Sequence, residues 1–295
     1  MATATTTPSP AVGYYGKPIV AAHVWKDYIG WYFFTGGLAG ASSTIAAVAE
    51  LAARPTLARH ARRAALVGLL PSPALLIADL GRPKRFANML RVIKPTSPMS
   101  IGSWLLAAYS PFAVGGVAAD LLGIAPRARR AATIAAGLLG PGIATYTGVL
   151  VADTATPVWH EAGRELPGLF AASAAASAGA MTTLLSSISG PPERAAVRIA
   201  AGGALAEVVM SVLMRKHLGD LDTYRSDPHA HALDRASRTL SIAGAIIAMA
   251  GRRRRPAAIL GATAIAAGSV CERLAVLRAG TASANDPRSV LGAAS

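Results

Sequence analysis

Long apolar stretches, separated by short charged segments, dominate the chain. Each stretch runs for about 20 residues, the length that an α-helix needs to cross roughly 30 Å of hydrocarbon. Helices of a soluble bundle keep a polar stripe, and these stretches have none. The pattern therefore predicts an all-α, polytopic transmembrane helical bundle of about eight spans. The predicted spans are Tyr28–Ala53, Arg63–Leu80, Ser100–Leu122, Ala131–Ala152, Pro167–Ile188, Ala195–Met214, Ser237–Gly251 and Pro256–Leu277.

The spans form one predicted transmembrane domain over residues 28–278, between an extended N-terminal tail (1–27) and a C-terminal tail (279–295). No cleavable signal peptide is expected, because the N-terminal tail lacks a basic start followed by an apolar core. The spans are rich in small residues, and Gly36 and Gly40 form a GxxxG pair typical of close helix packing. Prolines are predicted to interrupt spans two, three and four, at Pro71 and Pro73, Pro111, and Pro141.

Composition agrees with a membrane protein. Only 15% of the 295 residues are charged and 53% are hydrophobic, whereas a soluble domain carries about 25% charged residues. The net charge of +14 is better explained by loops that meet anionic lipid than by nucleic acid. The single cysteine, Cys271, excludes an internal disulfide and a cysteine-ligated iron–sulfur cluster. No histidine lies in the middle of a span, so neither haem nor another metal site is expected.

The loops divide into two kinds. Those after spans one, three, five and seven are short and arginine-rich, as in the run Arg252–Arg255. Short loops dense in basic residues stay in the cytoplasm. The sequence therefore predicts a multi-pass protein of the cell (plasma) membrane with both termini outside.

Ionisable residues within spans are costly and usually functional. Glu207 lies in span six and Tyr146 in span four, both nearer the end of the bundle that carries the termini. Asp27, Asp79 and Glu272 are expected at the membrane interface on that side. Because quinone chemistry moves two electrons and two protons, Glu207 and Tyr146 are candidate proton-exchanging residues. The alternatives are an interhelical hydrogen bond for Glu207 and an ordinary interfacial tyrosine for Tyr146.

Several strings follow one another along nearly the whole chain. They are Tyr32–Gly40 (YFFTGGLAG), Asp79–Phe86 (DLGRPKRF), Ser97–Trp104 (SPMSIGSW), Tyr146–Leu150 (YTGVL), Pro157–Trp159 (PVW) and Leu166–Phe170 (LPGLF). This ordered set resembles the polysulfide reductase NrfD family of integral membrane subunits. The DLGRP string is its most specific member.

The resemblance implies a haem-free subunit with no cofactor of its own and no intrinsic iron–sulfur cluster. Such a subunit exchanges electrons between membrane quinone (menaquinone or ubiquinone) and a ferredoxin-like iron–sulfur subunit. Through that partner it serves a catalytic subunit, often a molybdopterin enzyme. The chain would then be a quinone-reactive part of a multi-subunit oxidoreductase rather than an enzyme alone.

The resemblance also implies site residues. Quinone would be contacted by Tyr146 and from the first span, where the candidates are Lys26, Asp27, Tyr32 and Gly36. A relative's histidine corresponds to Lys26, so Lys26 or Asp27 takes its place, or the quinone is bound differently.

The DLGRP loop has its own candidates. Asp79, Arg82 and Arg85 would either anchor this loop and steer the partner or simply form a salt-bridged turn. Two other functions stay open for the whole chain. One is a transporter, suggested by interrupted helices and a mid-span acid, and the other is a passive anchor that binds no quinone.

Overall fold

The computed structural model describes residues 25, 27–80, 88–221, 223–251 and 254–285, and over these residues it contains helices and no strand. Short 3₁₀ turns, Ala162–Arg164 and Gly219–Leu221, join some of the helices. The α-helices are α1 (Asp27–Leu51), α2 (Pro55–Leu69), α3 (Pro71–Leu80), α4 (Pro98–Leu122), α5 (Pro126–Ala152), α6 (Pro157–Glu161), α7 (Leu166–Ser189), α8 (Arg194–Leu218), α9 (Thr223–Ser226), α10 (Pro228–Ala250) and α11 (Arg255–Asn285).

Within the described residues, seven segments are long and apolar enough to cross a membrane: α1, α2 with α3, α4, α5, α7, α8 and α11. Helix α10 has a comparable length, 23 residues, but its first turns are polar. It lies antiparallel to α11, because Gly244 faces Gly261 while Ser241 faces Gly268. The predicted helical membrane bundle is therefore confirmed, with the predicted seventh span as its most polar member.

The long helices form two sets joined along α1 and α7. The first set contains α1 to α5, and the second contains α7, α8, α10 and α11; α1 and α5 contact α7, and α1 also contacts α11. Long helices that follow one another along the chain run antiparallel, whereas α1 and α7 run parallel, since Phe33 meets Phe170 and Gly37 meets Ala174. We call the end at which α1 begins and α11 ends the terminal face, and the opposite end, with the turns after α1, α4, α7 and α10, the arginine face.

Small residues let the helix backbones touch. A Cβ atom added at Gly40 would lie 2.5 Å from the Gly140 carbonyl oxygen of α5, and one at Gly203 would lie 2.4 Å from the Ala176 nitrogen of α7. Both spacings are below any contact that a side chain tolerates. Lipid provides no hydrophobic drive for helix association, so these close approaches supply the packing energy instead.

Proline divides only one span. Span two breaks between α2 and α3 at Leu70, directly before Pro71. The neighbouring Ser72 hydroxyl donates to the Gly68 carbonyl at 2.7 Å, which ties the two pieces together. Helices α4 and α5 continue through Pro111 and Pro141, so neither proline breaks its helix. A single missing N–H removes one backbone bond, and the neighbouring turns of a long helix keep the rest.

Several helices extend beyond the predicted apolar spans. Helix α10 begins at Pro228 rather than Ser237, and α11 ends at Asn285 rather than Leu277. Polar residues determine where α10 begins. The Asp227 carboxylate accepts a hydrogen bond from the Ala230 nitrogen at 2.7 Å, and Pro228 occupies the first turn. Hydropathy marks the part of a helix that lies in lipid, not the helix ends.

A buried ion network fastens the first set at the arginine face. Arg62 of α2 donates to Glu50 of α1 at 3.0 Å and to Asp120 of α4 at 2.6 Å. Arg129 of α5 binds both oxygens of Glu50, at 3.0 and 3.1 Å. Arg62 is only 5% exposed. One network therefore joins four helices at the end where their connecting turns are short.

Replacing Gly203 by alanine should destabilise the protein by about 1–3 kcal/mol, because the new methyl group pushes α8 away from α7. Thermal unfolding of the purified protein in detergent measures the effect. The neighbouring Gly202 is the matched control, since a Cβ there meets nothing within 4 Å. Equal unfolding temperatures for Gly203→Ala and Gly202→Ala would contradict the close packing of α7 and α8.

Candidate functional site: a tyrosine pair and buried carboxylates

Two tyrosines meet beneath the terminal face. The rings of Tyr32 (α1) and Tyr146 (α5) lie edge to face with their centroids 6.5 Å apart. Tyr32 begins the second turn of α1 and Tyr146 lies six residues before the end of α5, so both lie about 7–9 Å below the terminal face. Gly102 of α4 makes room for the second ring, because a Cβ there would fall 2.2 Å from the Tyr146 Cε2 atom. The backbone of α4 therefore fixes the position of Tyr146.

Gly36 leaves space next to this pair. It lies one turn after Tyr32 and is buried, yet among the described residues only the Tyr32 ring, at 4.0 Å, comes within 4 Å of a Cβ added to it. Gly40, one turn later, is in tight backbone contact. The two glycines of the predicted GxxxG pair thus differ: Gly40 packs helices together, whereas Gly36 lines a gap beside an aromatic ring.

Glu207 of α8 is completely buried in the second set of helices. Ser241 of α10 and Ser269 of α11 donate to its two carboxylate oxygens at 3.0 and 2.9 Å. Ser237 of α10 lies 3.5 Å from the first of these oxygens, and Ser173 of α7 also borders the carboxylate. Hydroxyl groups from three neighbouring helices therefore surround one acid in the middle of the bundle.

Two further charged side chains of α11 lie beside Glu207. Glu272 and Arg273 are each 1% exposed, and both interact electrostatically with Glu207. The Arg273 Nη2 atom donates to the Phe170 carbonyl at 2.7 Å, and its guanidinium group lies 3.8 Å above the centre of the Phe170 ring. Among the described residues, neither carboxylate oxygen of Glu272 has a hydrogen-bond partner, nor do Nε and Nη1 of Arg273.

Arg273 joins the carboxylates to the first set of helices. A Cβ added at Gly37 of α1 would lie 3.1 Å from the Arg273 Nη2 atom. Gly37 directly follows Gly36, which borders the space beside Tyr32. The guanidinium group therefore stands between the carboxylate cluster and the helix that carries Tyr32.

A third buried acid, Asp234 of α10, continues the cluster towards the terminal face. It is 1% exposed, and it binds Arg215 of α8 at 3.2 Å and Arg238 of its own helix. Glu272 interacts electrostatically with both Asp234 and Arg215. Arg238 is 29% exposed at its side chain. Glu207, Glu272 and Asp234 are thus successive neighbours, and the partly exposed Arg238 connects Asp234 with the surface.

The structure does not bring all the predicted residues together. Asp27 pairs with Arg278 at 2.9 Å and is 62% exposed at its side chain. It lines a cleft of about 580 Å³ between α1, α10 and α11, together with Trp31 and His229, away from the Tyr32 and Tyr146 rings. Asp79 is half-buried at the terminal end of α3. Lys26, Arg82 and Arg85 lie outside the described residues.

Sequence reasoning found Glu207 and missed its neighbours. Glu272 was expected at the membrane interface, whereas it is almost completely buried among the helices and α11 continues for 13 residues beyond it. Asp234 falls between the predicted spans six and seven, whereas it lies in the second turn of α10. The adjacent pair Glu272–Arg273 in an otherwise apolar stretch was the available signal, because opposite charges side by side can enter lipid together.

A family model described as polysulphide reductase, NrfD, matches residues 19–284. The match covers both sets of helices, the tyrosine pair and the buried carboxylates. The chain belongs to the NrfD family. Proteins of this family are membrane subunits of redox complexes. No curated protein matches this NrfD chain.

Arg273→Leu should destabilise this NrfD protein by about 3–5 kcal/mol, because it leaves two buried carboxylates without their cation. Arg278→Leu removes an exposed ion pair from the same helix and should cost less than about 1 kcal/mol. Unfolding by a denaturing detergent, followed for both variants in mixed micelles, measures the difference. Similar losses for the two would mean that Arg273 does not balance the buried acids.

Proposed function

We propose that this NrfD protein is the haem-free, quinone-reactive membrane subunit of an oxidoreductase. It exchanges electrons between quinone in the bilayer and an iron–sulfur subunit bound at the terminal face. The observation that carries the proposal is the pair formed by the buried Tyr32 and the partly buried Tyr146 beside the space at Gly36. A flat aromatic ring with two oxygens needs such a place, where it can stack against aromatic side chains and find a phenol for hydrogen bonding.

Each residue has a proposed role. The Tyr146 hydroxyl donates a hydrogen bond to a quinone oxygen, and Tyr32 and Gly36 form the wall against which the ring lies. Reduction of a quinone consumes two electrons and two protons, and Glu207 is proposed to exchange protons with the site. The isoprenoid tail leaves between helices rich in small residues and reaches the surrounding lipid.

The partner is proposed to bind the terminal face, which has the longer connecting segments. Asp79, Arg82 and Arg85 would contact it there, and through it a catalytic subunit, often of the molybdopterin class, would exchange electrons. We propose the plasma membrane as the location, with both termini outside. Lys26 and Asp27 are proposed as an access pair at the start of α1.

Tyr146→Phe should lower quinol-dependent turnover of the purified complex by about tenfold or more, because the quinone oxygen loses its proton-exchanging partner. Tyr28→Phe is the matched control, since Tyr28 lies in the first turn of α1 and is 47% exposed. The proposal fails if Tyr146→Phe and Tyr28→Phe both retain wild-type turnover and the purified complex contains no extractable quinone. That combination would favour a passive anchor.

Gly36→Leu should raise the KM for quinol by about tenfold, since the branched side chain fills the space beside Tyr32, and a tenfold change corresponds to about 1.4 kcal/mol of binding. Gly36→Ala should have a smaller effect of the same sign. The control is Gly115→Leu in α4, where an added Cβ meets nothing within 4 Å. An unchanged KM for Gly36→Leu would exclude this space as the quinone site.

A further inference from the structure

The cations are unevenly divided among the three buried acids. Asp234 binds two of them, Arg215 and Arg238. Glu207 and Glu272 share the third, Arg273, which interacts with both. Two neighbouring carboxylates with one cation between them repel each other, and a proton shared by the two removes this repulsion.

The unpartnered atoms point to the same place. Both oxygens of Glu272 and two nitrogens of Arg273 lack hydrogen-bond partners among the described residues, although these side chains are almost fully buried. Buried polar atoms of this kind usually bind ordered water or a proton. Their neighbours are the Glu207 carboxylate, the Ser173 and Ser237 hydroxyls, and the half-buried Cys271 thiol. Arg215, which binds Asp234, also interacts electrostatically with Glu272.

The helix register places the acids in sequence: Gly268 of α11 faces Ser237 and Ser241, so Glu272, one turn later, lies beside the stretch of α10 that runs from Ser237 back to Asp234. Glu207 lies 11 residues before the end of α8, about 16 Å below the terminal face, and Asp234 lies six residues after the start of α10, about 9 Å below it. Glu272 interacts electrostatically with both. Ser237 borders Glu207 and Glu272, and its hydroxyl group can accept one hydrogen bond while it donates another.

We propose that Glu207 and Glu272 bind one exchangeable proton between them and that Asp234 passes it to the terminal face. In each step one O–H bond breaks as the next forms: from the carboxyl group of Glu207 through the Ser237 hydroxyl to Glu272, and then to Asp234. No electron moves in these steps. The use of this proton by quinone rests on the proposed function above, whereas its sharing by the two acids does not.

Infrared spectroscopy of the full chain, purified with any subunits that stay bound, tests the sharing. A protonated carboxyl group has a C=O stretching band that a carboxylate lacks, and the band shifts in D₂O if the proton exchanges. Glu207→Gln and Glu272→Gln should each lose the same single band, because the remaining carboxylate then forms a neutral pair with Arg273. The double variant should lose no more than either single variant. The control, Glu161→Gln, changes an acid that is 48% exposed and should keep the band.

The transfer of the proton to the terminal face is tested by its exchange rate, measured as the rate at which the C=O band shifts after transfer to D₂O. Ser237→Ala should slow the shift by about tenfold, the effect of roughly 1.4 kcal/mol on the barrier. Ser177→Ala is the matched control, since this buried serine of α7 donates only to the Ala174 carbonyl of its own helix. Asp234→Asn should slow the shift as well, and Ser237→Ala keeps the test valid if the asparagine variant does not fold.

Three results would overturn the proposal: no carboxyl band in the wild type, a band that survives either single Gln variant, or exchange in Ser237→Ala as fast as in Ser177→Ala. The outcome is separate from that of the quinone tests. A shared band together with unchanged turnover in Tyr146→Phe would keep the proton site and reject our quinone site, and the opposite pair of results would do the reverse.

Discussion

Every polar group that enters the hydrocarbon must find its partner inside the protein, because lipid offers none. In this chain the partners are reached by bringing helices very close together. Backbone contacts at Gly203 and Gly244 hold α8 against α7 and α10 against α11, and this closeness lets the short hydroxyl groups of Ser241 and Ser269 reach Glu207 from both neighbours. Larger residues along these helices would move the hydroxyl groups out of range and leave a bare carboxylate in lipid. The buried acid therefore requires the small residues, because only closely packed helices bring hydroxyl groups to it.

The amount that the sequence could predict follows from the same physics. Length and hydropathy determine whether a segment can cross lipid, so the seven described segments that qualify were all predicted, and the remaining predicted span fell on the more polar α10. Helix ends depend on caps and backbone hydrogen bonds, which hydropathy does not report. The predicted start of α10 was therefore nine residues too late, and the predicted end of α11 was eight residues too early. Because the predicted helices were too short, the predicted positions of two acidic residues were wrong as well. Asp234 and Glu272 were placed in a loop and at an interface because their helices were predicted too short.

The glycines of the first span illustrate a different limit of prediction from sequence motifs. Gly36 and Gly40 are four residues apart on the same face of α1, and a GxxxG pattern predicts packing for both. In the structure only Gly40 touches α5, because the crossing with Gly140 lies at its level. Closer to the terminal face the Tyr32 and Tyr146 rings stand between the helices, which leaves room at Gly36. Whether a glycine packs or makes space depends on the level at which two helices cross, and this level is a property of the pair of helices rather than of either sequence segment.

Arg273 links α1 with the carboxylate cluster through a positive charge that does not change. A guanidinium group stays protonated in proteins, so it acts as a fixed cation between α1 and the carboxylates. The Phe170 carbonyl and ring hold it in place. Asp234 holds the other two cations, so Glu207 and Glu272 are the acids of the cluster that must share one. If these two acids share a proton, as we propose, a proton that leaves them for a quinone under reduction must be replaced through Asp234. Proton supply from the terminal face would then be a condition of turnover, independent of the route that the electrons take.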